Sequence, residues 1–270
     1  MGRPLNLRER GRWVEALDDG DPVERARALV LLGRLEEALA VAPPGVARAE
    51  ALLARGDPLA ALGETDDLLV HAHARIALGE PEAAFAPAAR ALAAADGDYD
   101  RAQARLALAE AHHRCGGLQD AEDAWRIAGE HLRAIDPDHR ELGRVYDGLG
   151  NTLRKAGDLR GAVDCHRLAQ RHHGDHPLGR AASLHALAQC QRRLGDFEGA
   201  RASLREAARL TEPLLGGDHP DTWVTRFELA RVEVDCGDYD GLQRMQDARD
   251  RVATLLGADH PTVRAMDVWL

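Results

Sequence analysis

The stretch Gly157–Pro220, GDLRGAVDCHRLAQRHHGDHPLGRAASLHALAQCQRRLGDFEGARASLREAARLTEPLLGGDHP, states one pattern twice. Gly157-Asp158-Leu159-Arg160-Gly161-Ala162 returns as Gly195-Asp196-Phe197-Glu198-Gly199-Ala200. Each copy follows a helical run and opens another. Working outward, glycine turns followed by Ala or Leu recur at Gly33, Gly56, Gly79, Gly116, Gly157, Gly195 and Gly237. Their spacings are 23, 23, 37, 41, 38 and 42 residues. The last four have the size of a helix–turn–helix repeat. The first two fit shorter helical hairpins.

The pattern predicts five helix pairs from Asp66 onward: Asp66–Leu78 with Pro81–Ala95, Tyr99–Cys115 with Leu118–Ile135, Leu142–Ala156 with Leu159–His173, Leu178–Leu194 with Phe197–Leu215, and Thr222–Cys236 with Tyr239–Leu256. Thr262–Leu270 reads as the opening of one more helix. Residues 1–65 read as a degenerate helical region with short hairpins, continuous with the array at 66–270. Its elements are a helix over Leu5–Leu17, with Trp13 on its apolar side, a hairpin of Val23–Leu32 and Leu35–Val41, and short helices at Val46–Ala54 and after Pro58. Asp21 before Pro22 is placed to cap a helix.

Composition agrees with closely packed helices. Hydrophobic residues make up 45% of the 270, yet aromatics only 4%, so alanine and leucine carry the core. No long uncharged run could span a bilayer. The formal charge of −10 disfavours general binding to nucleic-acid backbone. Cys115, Cys165, Cys190 and Cys236 form no CxxC pair and read as reduced thiols. With no signal-peptide pattern at the start, a cytoplasmic location is expected.

These features resemble the tetratricopeptide repeat family. The family places a large and then a small residue in the first helix, glycine at the turn, and two small residues in the second helix. Leu108, Ala109, Ala121 and Ala128 hold those positions around Gly116, with Trp125 at the bulky position between the last two. Leu149, Gly150, Ala162 and Ala169 hold them around Gly157, and Leu187, Ala188, Ala200 and Ala207 around Gly195. The Gly237 unit has Leu229 and Ala230, and a one-residue deletion aligns Met245 and Ala248. Gly79 matches less well, with His71 at the bulky position. The linker Leu215-Gly216-Gly217-Asp218-His219-Pro220-Asp221-Thr222 recurs as Leu256-Gly257-Ala258-Asp259-His260-Pro261-Thr262. It resembles the kinesin-light-chain repeat type, in which LGxxHPxT joins successive units. In such a linker Pro starts the next helix and Asp or Thr can supply its cap. The Ala, Arg and Gly richness is of the kind found in GC-rich bacteria such as actinobacteria. The resemblance implies an all-α, right-handed superhelical solenoid with an extended concave binding surface.

Catalytic chemistry finds little footing. No GxSxG elbow, GxxxxGK[ST] loop or GxGxxG is present, and Ser183 and Ser203 fall inside helices. Gly148 and Gly150 fall mid-helix, where the repeat requires small residues. No enzymatic activity and no cofactor are expected. The histidines of the run Cys165, His166, His172, His173 and His176 read as surface and loop residues. His166 and His173, seven apart, share a helix face, and a zinc site there would need three or four converging ligands. Trp13, Trp125 and Trp223 read as packing anchors. Trp269 is balanced between packing on the last repeat and meeting a partner.

The expected function is a protein-interaction scaffold, adaptor or regulator that holds a peptide or partner protein in the groove. Two alternatives are a receptor for a small signalling peptide and a metal-binding helper or enzyme subunit using the cluster from His166 to His176. In the family the first helix of each pair lines the concave face. Counting back from the turn glycines points His113, Arg114, Arg144, Asn151, Arg154, Lys155, His185, Gln189, Arg192, Arg193 and Arg231 inward. Glu110, Asp147, Val234 and Asp235 share that face. Its middle is basic, which suits a partner with an acidic segment or a terminal carboxylate. The opposing reading is that cations simply favour the last turn of any helix. The family's carboxylate clamp is matched at Asn151, but Ala186, Val224 and Glu228 stand where it carries polar or basic residues. Neither direct nucleic-acid nor membrane binding is expected.

Overall fold

The computed structural model describes residues 17, 20–32, 34–174 and 176–270. The expected helix around Trp13 and the Gly33 turn lie outside them. The described residues hold fifteen helices and no strand: α1 (Pro22–Leu31), α2 (Leu35–Val41), α3 (Val46–Arg55), α4 (Pro58–Glu64), α5 (Leu68–Ala77), α6 (Pro81–Ala94), α7 (Asp98–Cys115), α8 (Leu118–Ile135), α9 (Leu142–Ala156), α10 (Leu159–His173), α11 (Pro177–Arg193), α12 (Phe197–Leu215), α13 (Pro220–Asp235), α14 (Gly241–Leu256) and α15 (Pro261–Asp267). Consecutive helices pack in antiparallel pairs that stack into a right-handed solenoid. Among the described residues no helix is long and apolar enough to cross a membrane.

The Gly-Asp pair at each turn divides the work of stopping one helix and starting the next. Gly157 has φ 96° and ends α9 in the left-handed region, where a side chain would be strained. Its N–H donates to the Arg154 carbonyl, and the Asp158 N–H donates to that of Leu153. These two bonds satisfy orphan carbonyls at the helix end. The Asp158 side chain then accepts from the Gly161 N–H and caps α10. At Gly195 the same bonds run from the Gly195 N–H to the Arg192 carbonyl and from the Asp196 N–H to that of Gln191, and Asp196 caps α12 through the Gly199 N–H. A Cβ at Gly161 or Gly199 would lie 2.3 or 2.2 Å from the capping carboxylate. The second glycine of the GDxxGA pattern is therefore room for the cap.

Small residues set the distance between helices. Ala121, Ala128, Ala162, Ala169, Ala200 and Ala207 are buried, as are Met245 and Ala248 in the unit with the deletion. Trp125 anchors the largest core cluster, between Leu106, Leu132, Val145 and Leu149. A Cβ at Gly148 would come within 2.3 Å of the Trp125 ring, which accounts for that glycine in α9. Trp223 is partly buried, with the Arg226 guanidinium 4.5 Å from its ring centre.

The linkers are capped differently from the expectation. His219 and His260 occupy the N-cap positions of α13 and α15, and their Nδ1 atoms accept from the backbone N–H groups of Asp221 and Thr262. An accepting Nδ1 places the proton on Nε2. Thr222 instead donates its hydroxyl back to the Gly216 carbonyl, closing the linker on itself. At Asp218-His219-Pro220 and Asp259-His260-Pro261 the cap is thus a histidine and not an aspartate.

The histidine run is also corrected. His166 and His173 are buried, not superficial. His166 Nδ1 lies 3.0 Å from Asp147 Oδ1, and His173 Nε2 lies 2.8 Å from Asp147 Oδ2. Ser183 Oγ donates to Asp147 Oδ2 at 2.7 Å. One carboxylate of α9 therefore holds α10 and α11. These hydrogen bonds outweigh the desolvation that opposes them and keep the Asp147 carboxyl below the ordinary carboxylate range. An ionised carboxylate only accepts, so both imidazole nitrogens and the hydroxyl donate to it. The rings occupy space that glycines leave open: a Cβ at Gly150 would meet His166 at 2.8 Å, and one at Gly143 would meet His173 at 2.7 Å. His172 stacks on Tyr146, and His176 tilts against His173 at 5.8 Å without a side-chain cap bond. Among the described residues no three His, Cys, Asp or Glu side chains are placed to hold a metal ion.

Three outcomes follow from this packing. Ala200→Leu overfills the contact with Ala188, Leu204 and Val232 and should cost about 1–3 kcal/mol in thermal or denaturant unfolding; an unchanged melting temperature would contradict the contact. Because the folded Asp147 pKa is depressed, its contribution is fully present above about pH 4 and is lost as pH falls further. Asp147→Ala should remove that acid dependence and cost about 1.5–3 kcal/mol at neutral pH, read by urea titration across pH. The four thiols are free, with Cys165 and Cys190 buried and the Cys165 thiol pushed up to about 11 by burial. Iodoacetamide should modify the exposed Cys115 and Cys236 first, as peptide mass spectrometry would show.

Candidate functional site

The first helices of successive pairs, α7, α9, α11 and α13, run side by side and present one continuous face. Contacts between repeats confirm their adjacency. Lys155 Nζ donates to the His113 carbonyl at 3.0 Å, Arg193 Nη1 to the Arg154 carbonyl at 3.4 Å, and Arg192 Nη1 to Asp235 Oδ2 at 3.0 Å. Residues six before each turn glycine are Glu110, Asn151, Gln189 and Arg231, and residues three before it are His113, Arg154, Arg192 and Val234. A separation of three keeps both rows on one helix face.

Between α7 and α9 this face opens into a cavity of about 330 Å³ lined by Glu110, His113, Arg114, Gly148, Asn151 and Arg154. Gly148 contributes only backbone to its lining. His113 Nδ1 lies 3.0 Å from Thr152 Oγ1, whose own proton goes to the Gly148 carbonyl. Nδ1 is therefore the donor of that pair. Burial lowers the His113 pKa, and the opposing pull of Glu110 is the smaller influence. Arg114 Nε bonds Glu110 Oε1 at 2.8 Å along one helix. Arg154 reaches Asn151 Oδ1 with Nη2 at 3.3 Å, while its Nε is buried without a partner. The cavity thus offers unused donor capacity on Arg154, beside the carboxylate of Glu110.

The remaining expected residues divide by environment. Arg144 is exposed at the start of α9. His185 and Gln189 are half-buried on α11, and burial lowers the His185 pKa. Lys155 and Arg193 bond carbonyls at the C-terminal ends of the preceding first helices, where the dipole favours a cation. Arg192 is held by Asp235. Arg231 is buried, lies 3.3 Å from Glu228, and has its pKa lowered by burial. The ring centre of Trp269 lies 3.4 Å from the Arg231 guanidinium carbon and 5.4 Å from that of Arg192. The basic character expected for the middle of the groove is therefore partly neutralised from within, by Glu110, Glu228 and Asp235. The sequence does not single out Thr152, and it leaves Trp269 balanced between packing on the last repeat and meeting a partner. Thr152 could have been found as the residue opposite His113 one repeat back; the Trp269 contact carries no local signal.

Crystal structures with the same fold include BtubC (BKLC) from P. vanneervenii, with TM-score 0.53, 17% identity, and coverage of 96% of this chain and 95% of that one. A putative kinesin light chain from Podosopora anserina with nearly identical TPR-like repeats matches with TM-score 0.52 and 19% identity over 75% of this chain and 94% of that one. RapI in its apo form matches with TM-score 0.59 and 14% identity over 96% of this chain and 78% of that one. No curated protein matches the sequence. The family model for the MalT-like TPR region matches residues 67–269, from the helix α5 to the Trp269 that closes over Arg231. With three quarters of its length covered by that match, the chain belongs to the MalT-like TPR family.

Proposed function

We propose that this protein is an interaction module that holds a peptide or partner protein against the face formed by α7, α9, α11 and α13. The repeat fold is typical of protein-interaction scaffolds, and such repeat regions are generally non-enzymatic. The observation that carries the reading is the cavity at Glu110, His113, Asn151 and Arg154, with a buried, unpartnered Arg154 Nε at its wall. Its volume suits one or two side chains, so the remainder of a ligand would lie along the open face. The partner's chemistry follows from what is left free once the repeats have bonded each other. Arg144 and Arg154 remain available, on α9. A carboxylate from an acidic segment would take charge-assisted bonds from them. The free thiols fit a cytoplasmic setting for such a module.

Selection from a random-peptide phage library against the wild-type chain tests this directly. Selected peptides should be enriched in Asp and Glu. Arg144→Glu with Arg154→Glu should weaken them at least about tenfold, with helicity and melting temperature nearly unchanged. Wild-type affinity in the double variant at low and moderate salt would rule this face out. Arg192 is unsuited to the experiment because its loss also frees Asp235 and uncovers Trp269.

A further inference from the structure

The far end of the same face carries a feature that peptide binding at α9 does not explain. Arg231 is 8% exposed, its Nε is buried without a partner, and Glu228 meets only Nη1, at 3.3 Å. Such a guanidinium is costly to bury unless something else compensates it. The compensation comes from the face of Trp269, at 3.4 Å from Arg231 and within cation–π reach of Arg192 at 5.4 Å. The ring comes from beyond α15, which is itself well seated. Val263 and Met266 are buried against Phe227, Met245 and Val252, and Arg249 Nε bonds Asp267 Oδ1 at 2.6 Å. After Asp267 the hold weakens. Val268 is 75% exposed, Leu270 53% and Trp269 itself 51%. The ring is the part of this segment that engages the two arginines.

We propose that Arg192, Glu228 and Arg231 form an aromatic-accepting subsite of the concave face, and that Trp269 fills it in cis, in the place of an aromatic side chain of a partner peptide. The proposal rests on the peptide-binding reading above and deepens it. Two guanidiniums lie over one ring, and the Arg231 Nε, buried and without a hydrogen bond, has donor capacity left for a backbone carbonyl or carboxylate of the incoming chain. The ligand class is a peptide with a tryptophan, or another aromatic, flanked by an acceptor. The chain's own Asp267-Val268-Trp269-Leu270 has that form. Because the resident ring is tethered, it competes at high effective concentration, and a free peptide gains access only when the ring swings out.

The test is an NMR titration of arginine side-chain resonances with the peptide Met-Asp-Val-Trp-Leu, which reproduces residues 266–270. With Trp269→Ala, the peptide should shift the Nε–H signals of Arg192 and Arg231. Its apparent Kd should be on the order of tenfold lower than for the wild-type chain. The same peptide with alanine for tryptophan should show no gain. Trp269→Phe keeps a ring face and should behave as the wild type does, which also controls for damage to the fold. Equal affinity for Trp269→Ala and wild type would overturn the proposal, as would the absence of shifts at Arg192 and Arg231, or a Trp269→Phe variant as open as the alanine one. If those results come while library peptides still depend on Arg144 and Arg154, the subsite fails alone and the wider binding reading stands.

Discussion

The distance at which two helices of a hairpin cross is the constraint on which the rest of this structure depends. Alanine against alanine, as at Ala188 and Ala200, brings backbones close and leaves little volume to fill. A solenoid built this way needs few aromatic residues, and the chain has few. Among the described residues the buried side chains form a series of separate clusters, each bridging neighbouring helices. Stability in such an array accrues locally, so a fault in one hairpin is felt chiefly by its neighbours. Every large side chain admitted at a crossing must be matched by a gap opposite. Trp125 is matched by Gly148, His166 by Gly150 and His173 by Gly143.

That matching explains why α9 holds several glycines without losing its helix. Glycine weakens a helix interior by up to about 1 kcal/mol relative to alanine. Here the loss is offset by what the vacancies admit: a buried tryptophan on one side and, on the other, two imidazoles hydrogen-bonded to Asp147. A half-buried carboxylate with three donors is a demanding arrangement, since removing a partner weakens what holds the charge there. It favours one register of α9, α10 and α11 over alternatives that would separate the charge from its donors.

Much of the fold was legible because the deciding residues lie close together in sequence. Gly157-Asp158 and Gly195-Asp196 mark a helix end and the next helix start within two positions, and the alanines that follow mark the crossing. From α5 onward the expected pairs agree with the observed helices to within two or three residues, the differences falling at ends where capping decides the boundary. The histidines were misread because their roles depend on residues far along the chain. His166 meets Asp147 nineteen positions back, and Ser183 meets it from thirty-six positions ahead. The linker cap was expected from Asp or Thr for another reason. Asp and Thr flank His219 and are better known caps, but the proline fixes a geometry in which the imidazole Nδ1 reaches the second N–H. Along the first helices of the pairs, counting from the glycines relates equivalent positions from one repeat to the next. Which of their side chains are available does not follow from that count, because pairs such as Arg192 with Asp235 cross from one repeat to the next.

Availability follows from how the repeats are joined. A cation in the last turn of a first helix lies near the carbonyl end of the previous first helix, where it can satisfy a group that the helix itself leaves unbonded. Lys155 and Arg193 do this, at His113 and Arg154. The other cations of these last turns, and Arg231 one turn earlier on its helix, make no such bond and must find a carboxylate, find a ring, or remain open. Arg114 finds Glu110, Arg192 finds Asp235, and Arg231 finds Glu228 and Trp269. Arg144 lies at the opposite end of α9, and Arg154 has only the amide oxygen of Asn151. The charge that distinguishes one stretch of this surface from another is thus what remains after the repeats have bonded to each other, and it remains chiefly on α9. The same helix carries Asp147 on its inner side, fixed to α10 and α11. A ligand drawn to Arg144 and Arg154 would therefore meet a rigid support, with little ordering required of the protein when it binds.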